Sequence, residues 1–319
     1  MIGPGDLIAL VTFDGQVYAN QAVTRERLGR EPEAAHALTA ALTHWLRRRH
    51  VWLVVEGRRI QGIATARVLA GPEAWEIDTL VNAGEAPAGE ARPAGIVQAL
   101  LEQAEAEARR SGVRSLLLRV PTGAPADAEA VRAGFTRALR ERLWRADALR
   151  SDPAEGRADL EGVTGFTVRE ARAADEHGRF LLYCQALPVE ARSALAMTLE
   201  EWRVTREDHW LGRHPRELVA EHEGQIVGAA RIASGGGRAQ LDLLATAEAG
   251  GAVRALLAAA GRLCTPGEPV LALAMGVAQT ELLEAGFEPE AEYVLLCRRV
   301  ARPVKEPLTV SAGIVVSGG

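Results

Sequence analysis

The stretch LVVEGRRIQGIATAR, residues 53–67, is an apolar run ending in Glu, a short polar turn and a second run that opens Ile-x-Gly. Two such runs around a tight turn read as a β-hairpin. The chain writes the same pattern again as LVAEHEGQIVGAARI, residues 218–232. The segments after each hairpin repeat in order too: a strand (WEIDTLV, then AQLDLLA), a helix opened by Gly (GIVQALLEQA, then GAVRALLAAA) and an apolar strand (RSLLLRV, then PVLALAM). Both copies then close a short helix with Ala-Gly-Phe, at Ala133, Gly134 and Phe135 and again at Ala285, Gly286 and Phe287. Agreement of this many elements in one order marks an internal repeat, and the polar residues 151–162 read as the linker between its copies.

The expected architecture is mixed α/β, with domains at residues 1–150 and 163–301, each a central mixed β-sheet of its own flanked by helices, packed through a pseudo-two-fold or side-by-side contact. The copies diverge at their starts. The first opens with LIALVTFDGQVYANQAV, expected as a hairpin around Asp14 and Gly15, and then a helix near residues 31–49. The second opens with FTVREARAADEHGRFLLYCQAL, a strand and a helix, and offers TLEEWRVTRED as a second helix. The tail, residues 302–319, is expected to be strand-like or disordered.

Composition narrows the function. The chain has 319 residues, 48% of them hydrophobic, enough for two ordinary cores. No apolar run approaches a membrane span, and the start MIGPGDLIALVTFDGQ lacks the basic opening and cleavage site of a signal peptide, so a cytoplasmic protein without membrane association is expected. Cys184, Cys264 and Cys297 are scattered and show neither a C-x-x-C pair nor a His at ligand spacing, which argues against a disulfide framework and against a metal. His209 and His214, beside Trp210, lack a third ligand and read as a surface loop. A net charge of -5 argues against nucleic acid as a partner.

The stretch EARPAGIVQALLEQAEAEARRSG, residues 90–112, reads as a helix explained by its stripe of Ile96, Leu100, Leu101, Ala104 and Ala108, its Glu105–Arg109 pair and its stop at Gly112. Packing does not explain its entrance, Arg92-Pro-Ala94-Gly95-Ile96-Val97. The unpaired N–H groups of a helix start favour an anion, and glycine lets oxygens come close. The same residues also suit a plain Pro-started helix entrance.

With GIVQALLEQAEAEARRSGVRSLLLRV after a strand and AEAVRAGF after that, the order of elements resembles the GNAT superfamily of acyl-CoA N-acyltransferases over about residues 50–147 and 165–301. The resemblance implies acetyl-CoA as cofactor and a small-molecule or peptide amine as acceptor, with a homodimer left open. In that family the fourth strand ends beside the pantetheine arm, here Leu80 and Val81, and a loop of pattern Q/R-x-x-G-x-G/A holds the pyrophosphate. Arg92 and Gly95 match that loop, while Val97 stands where Gly or Ala is usual. The second copy offers Leu244 and Ala245, then Glu248, Gly250, Gly251 and Val253, with a carboxylate where the family has Arg or Gln. A carboxylate repels a pyrophosphate. The first copy is therefore expected to hold the coenzyme.

Acyl transfer to an amine needs a base for the amine proton and an acid for the leaving thiolate. The resemblance implies a carboxylate base on the fourth strand, and strict alternation would set Glu76, Asp78 and Leu80 on one face of WEIDTLV. Glu76 is the leading base and Asp78 the second, against the alternative of a solvated face or an ion paired to a helix. In the second copy Gln240 replaces Glu76 and Asp242 matches Asp78. The family's acid is often a Tyr, but Ala130 and Leu282 hold that position. Two further readings stay open: a second domain that is the active one, as in the tandem mycothiol synthases it resembles, and a catalytically silent binding protein.

Overall fold

The computed structural model describes residues 19–29, 49–56, 59–69, 74–83, 95–149, 165–205, 211, 215–235, 237–246 and 248–300. The expected helix near 31–49 (apart from its last residue), Arg92, Ala94, the linker, His209, His214 and the tail lie outside them, as does the hairpin around Asp14 apart from its last residues. The first half comprises β1 (Arg49–Glu56), β2 (Arg59–Val68), β3 (Ala74–Asn82), α1 (Gly95–Arg110), β4 (Ser115–Pro121), α2 (Pro125–Arg132) and β5 (Thr136–Ala146). The second comprises β6 (Thr167–Glu170), α3 (Glu176–Ala186), α4 (Val189–Leu195), α5 (Leu199–Thr205), β7 (Arg216–His222), β8 (Gln225–Gly235), β9 (Arg238–Ala245), α6 (Gly250–Gly261), β10 (Val270–Met275), α7 (Gln279–Glu284) and β11 (Glu288–Arg299).

The local expectations are met where hydrophobic pattern and turn chemistry agree. Both hairpins form, and the second turns through Glu223 and Gly224 with φ of 50° and 76°, the left-handed pair that a two-residue turn requires. The α1 stripe is buried at Leu100, Leu101, Ala104 and Ala108, and Gly112 ends the helix with φ 72°. The helix α4 is an addition to the expected elements: it is only seven residues long, too short for its period to show in sequence.

The expectation of separate sheets is wrong. The strands form one eleven-stranded sheet in the order β1-β2-β3-β4-β11-β5-β10-β9-β8-β7-β6. The last strand of the second half, β11, lies between β4 and β5 of the first, antiparallel to both. Reciprocally, β5 lies between β10 and β11 of the second half. The order reads the same from either side of the β11–β5 pair, β6 excepted, and parallel β3–β4 matches parallel β9–β10, so a pseudo-two-fold passes between those strands. The physical reason is that β4 and β5 would otherwise leave a row of backbone donors and acceptors without partners inside the protein.

One face of the sheet carries α1 and α2 over Trp75, Ile77, Leu80, Leu116, Leu118 and Val120, and α6 over Leu241, Leu243, Val270 and Ala272. The opposite face receives α4 over Leu117, Leu295 and Cys297. At the centre of that second face Leu28 packs with Leu143, Leu271, Leu273 and Tyr293.

Because Tyr293 to Cys297 are buried between strands of the other half, the halves should not fold apart. A polypeptide ending at residue 162 is expected to aggregate or stay expanded by size-exclusion chromatography, and co-expression with residues 163–319 to restore a compact complex. A monodisperse, native-like first half on its own would contradict the shared sheet.

Candidate functional site

The strand β3 does not keep strict alternation. Thr65 pairs with Thr79 and Ala66 with Ile77, so Asp78 is an extra residue, a β-bulge. The bulge returns Leu80 to the α1 face, where it packs with Trp75 and Ile77, and the expectation that Leu80 shares a face with Glu76 is corrected. It also ends the pairing with β4: β3 and β4 are bonded only from Ala74↔Ser115 to Ile77↔Leu118, and beyond that point they diverge while both continue. Diverging parallel strands expose main-chain groups to any extended segment that can enter.

A segment of this chain fills the opening. Gln21 donates its N–H to the Leu80 carbonyl at 2.9 Å, and Val23 donates to the Arg119 carbonyl on β4 at 2.8 Å. The Asn20 side chain accepts from the Leu80 N–H at 2.8 Å and donates to the Asp78 carbonyl at 3.0 Å. Gln21 Oε1 accepts from the Ala126 N–H at 3.0 Å, capping the start of α2. Ala22 joins the α1 core and Val23 the opposite one, so the segment sits like a short strand between its neighbours. Leu80, expected to offer main-chain groups to a coenzyme, has its N–H and its carbonyl taken. Val81 is buried and paired with Ile63 on β2.

Glu76 lies in a buried chain of alternating charge. Arg67 donates to Glu76 Oε2 at 2.6 and 2.8 Å and to Glu26 at 2.6 Å; Arg119 donates to Glu76 Oε1 at 3.0 Å and to Glu141. The side chains of Glu76, Arg119 and Glu141 are 3–5% exposed. Burial works against the charge on Glu141, but the Arg119 guanidinium outweighs it and holds the carboxyl below its ordinary range. Both Glu76 oxygens are thus committed to arginines. Asp78 is buried and accepts from Thr65 Oγ1 at 2.5 Å. Sequence reasoning missed Arg67, Arg119 and Glu141; the available signal was a lone Arg in the apolar run LLLRV.

At the helix starts the two halves differ again. Gly95 is exposed, and a Cβ there would meet nothing within 4 Å, so packing does not require glycine. Its neighbours Ile96 and Val97 turn inward, Val97 fully buried. In the second half a Cβ on Gly250 would collide with Glu281 Oε1 and one on Gly251 would stand 2.5 Å from Phe166, so those glycines admit the protein's own side chains. Val253 is core. Strands β9 and β10 stay paired through Leu244↔Met275, β8 and β9 pair without a bulge up to Ala245, and Asp242 is bound by Arg25 at 3.0 Å. Ala130 and Leu282 are buried in the core. Among the described residues no group of three or more His, Cys, Asp or Glu could hold a metal, and no helix is long and apolar enough to cross a membrane.

A solved structure shares this architecture. The GCN5-related N-acetyltransferase of Sphaerobacter thermophilus matches over 94% of each chain at 16% identity with a TM-score of 0.50. A tandem GNAT protein from the clavulanic acid biosynthesis pathway matches over 94% of each chain at 18% identity with a TM-score of 0.42. No protein-family model and no curated protein matches the chain. The protein therefore has the GNAT fold, with its elements present in two copies.

Removing one member of the buried charge chain strands its partners. Arg119→Met should destabilise the protein by about 3–5 kcal/mol, read by chemical denaturation, since Glu76 and Glu141 would share a buried site without it. A second expectation comes from the depressed Glu141 carboxyl. Its stabilising contribution is complete above the unfolded value of about 4.3 and is lost as pH falls through the lower folded value. Wild-type stability should thus decline below about pH 4, and the Glu141→Gln variant should show a flatter decline over that range.

Proposed function

We propose that the protein is an acyl-CoA-dependent N-acyltransferase, with acetyl-CoA as the coenzyme, whose coenzyme slot belongs to the first half. The observation that carries this reading is the divergence of β3 and β4 beyond Ile77 and Leu118, made by the bulge at Asp78 and absent between β9 and β10. An extended arm bearing amides can pair with the Leu80 and Arg119 carbonyls, and the exposed N-terminus of α1 at Gly95 suits a phosphate group. Bound acyl-CoA would supply the activated acyl group as a thioester. The second half supports the first by completing its sheet through β11.

The residues around the slot favour binding over rapid turnover. Both Glu76 oxygens are held by guanidinium donors, so we assign removal of the amine proton to solvent and keep Glu76 as a positioning residue for β3 and β4. With Ala130 at the tyrosine position, departure of the thiolate lacks a side-chain acid, a loss worth roughly 10²- to 10⁴-fold in rate. The silent-protein reading is favoured by the same observations and differs in predicting no coenzyme binding. The acceptor is an amine of a small molecule or peptide.

Calorimetric titration of the full chain with acetyl-CoA tests the reading. Gly95→Asp should leave the melting temperature unchanged or slightly raised, because an acidic residue suits a helix start, yet abolish binding through repulsion of the pyrophosphate. Binding that survives Gly95→Asp, or its absence in every variant, contradicts a first-half coenzyme site. Glu76→Gln separates a base from a positioning residue: loss of stability with turnover per folded molecule kept supports positioning, and loss of kcat at unchanged stability supports a base.

A further inference from the structure

The segment from Asn20 to Leu28 touches both candidate sites at once. Its first part occupies the opening between β3 and β4 through the Asn20, Gln21 and Val23 bonds. Its second part is a 3-10 turn, Arg25–Arg27, lying across the pseudo-two-fold. There Arg25 binds Asp242 of β9 at 3.0 Å and Glu26 binds Arg67 of β2 at 2.6 Å. Leu28, with no exposed surface, then anchors the segment among Leu143, Leu271, Leu273 and Tyr293.

We propose that Asn20–Leu28 is an autoinhibitory strap, a strand-like occupant of the slot between β3 and β4 that must withdraw before an extended, amide-bearing coenzyme arm can enter. This rests on the first-half coenzyme reading above. Three features support displacement rather than permanent structure. Among the described residues two main-chain bonds, with the Asn20 and Gln21 side chains, hold the strap in the slot, whereas a sheet strand makes a continuous main-chain ladder. Its side chains inside the slot are small, Ala22 and Val23, so vacating the slot itself forfeits little apolar burial; the larger burial is that of Leu28, which lies outside the slot. The acceptors it uses, the Leu80 and Arg119 carbonyls, sit on strands already fixed by their other neighbours, β2 and β11, so they persist when it leaves.

The strap and the coenzyme arm would compete for the same two carbonyls. A protein whose competent state is only partly populated shows an apparent Kd equal to the intrinsic Kd divided by that fraction. Weakening the strap away from the slot should therefore tighten coenzyme binding without altering the slot. Leu28→Ala removes the anchor, and Arg25→Ala removes the contact to Asp242; Leu28 packs on Leu143, Leu271, Leu273 and Tyr293, and Asp242 lies on β9, all outside β3, β4 and α1.

The test is titration of acetyl-CoA into full-length wild type, Arg25→Ala and Leu28→Ala, with hydrogen exchange at the Gln21 and Val23 amides. The expected result is binding at least tenfold tighter in the variants and faster exchange at both amides when wild type is saturated. Should Leu28→Ala fail to fold, Arg25→Ala and the wild-type exchange measurement decide alone. Equal affinity in wild type and variants, or amides that stay protected in the complex, overturns the strap and leaves the coenzyme reading intact. No binding in any of the proteins overturns both.

Discussion

The antiparallel pairing of β11 with β5 is the contact on which the rest of the structure depends. Each of these strands closes its own half and fills the gap in the other, with Tyr293 opposite Glu141 and Cys297 opposite Thr136. A gene that repeats a unit usually yields two bodies free to move. Here the exchanged strands make the two copies one sheet, and β4 obtains its second neighbour only when the last part of the chain has been made. Folding of the first half is therefore bound to contacts of very long sequence separation.

The same centre explains where the charges went. Glu76, Arg119 and Glu141 come from β3, β4 and β5 and point to the face opposite α1. Left alone they would demand water. The alternating order Glu26, Arg67, Glu76, Arg119, Glu141 satisfies each with an opposite neighbour. Such a chain contributes modestly to net stability but strongly fixes register, because a one-residue slip would turn a strand's charge into the apolar face and leave its partner unpaired.

The halves are alike in topology and unlike in detail, and the difference starts with one residue. The bulge at Asp78 turns β3 away from β4, whereas the equivalent strand β9 carries Asp242 in regular alternation and remains bonded to β10. One copy has an opening and the other has none. The filled helix start of the second copy, with Glu281 at Gly250 and Phe166 at Gly251, agrees with that division.

The sequence by itself determined the repeat, the order of hairpin, strand, helix and strand in each copy, and the mixed α/β class, because these depend on local periodicity and turn residues. It also separated the two helix starts, through Arg92 against Glu248. It could not reveal that the sheet is continuous, since strands carry the same alternation whichever neighbour they pair with. Nor could it reveal the bulge at Asp78, which depends on how β2 and β4 compete for β3, and so it misassigned the face of Leu80. The role of Glu76 was likewise undecided, because a carboxylate is a base or a structural ion according to what surrounds it. Only the tertiary structure brought Arg67 and Arg119 to it, and only the tertiary structure set Asn20 to Leu28, remote in sequence from both β3 and β9, across the two candidate sites.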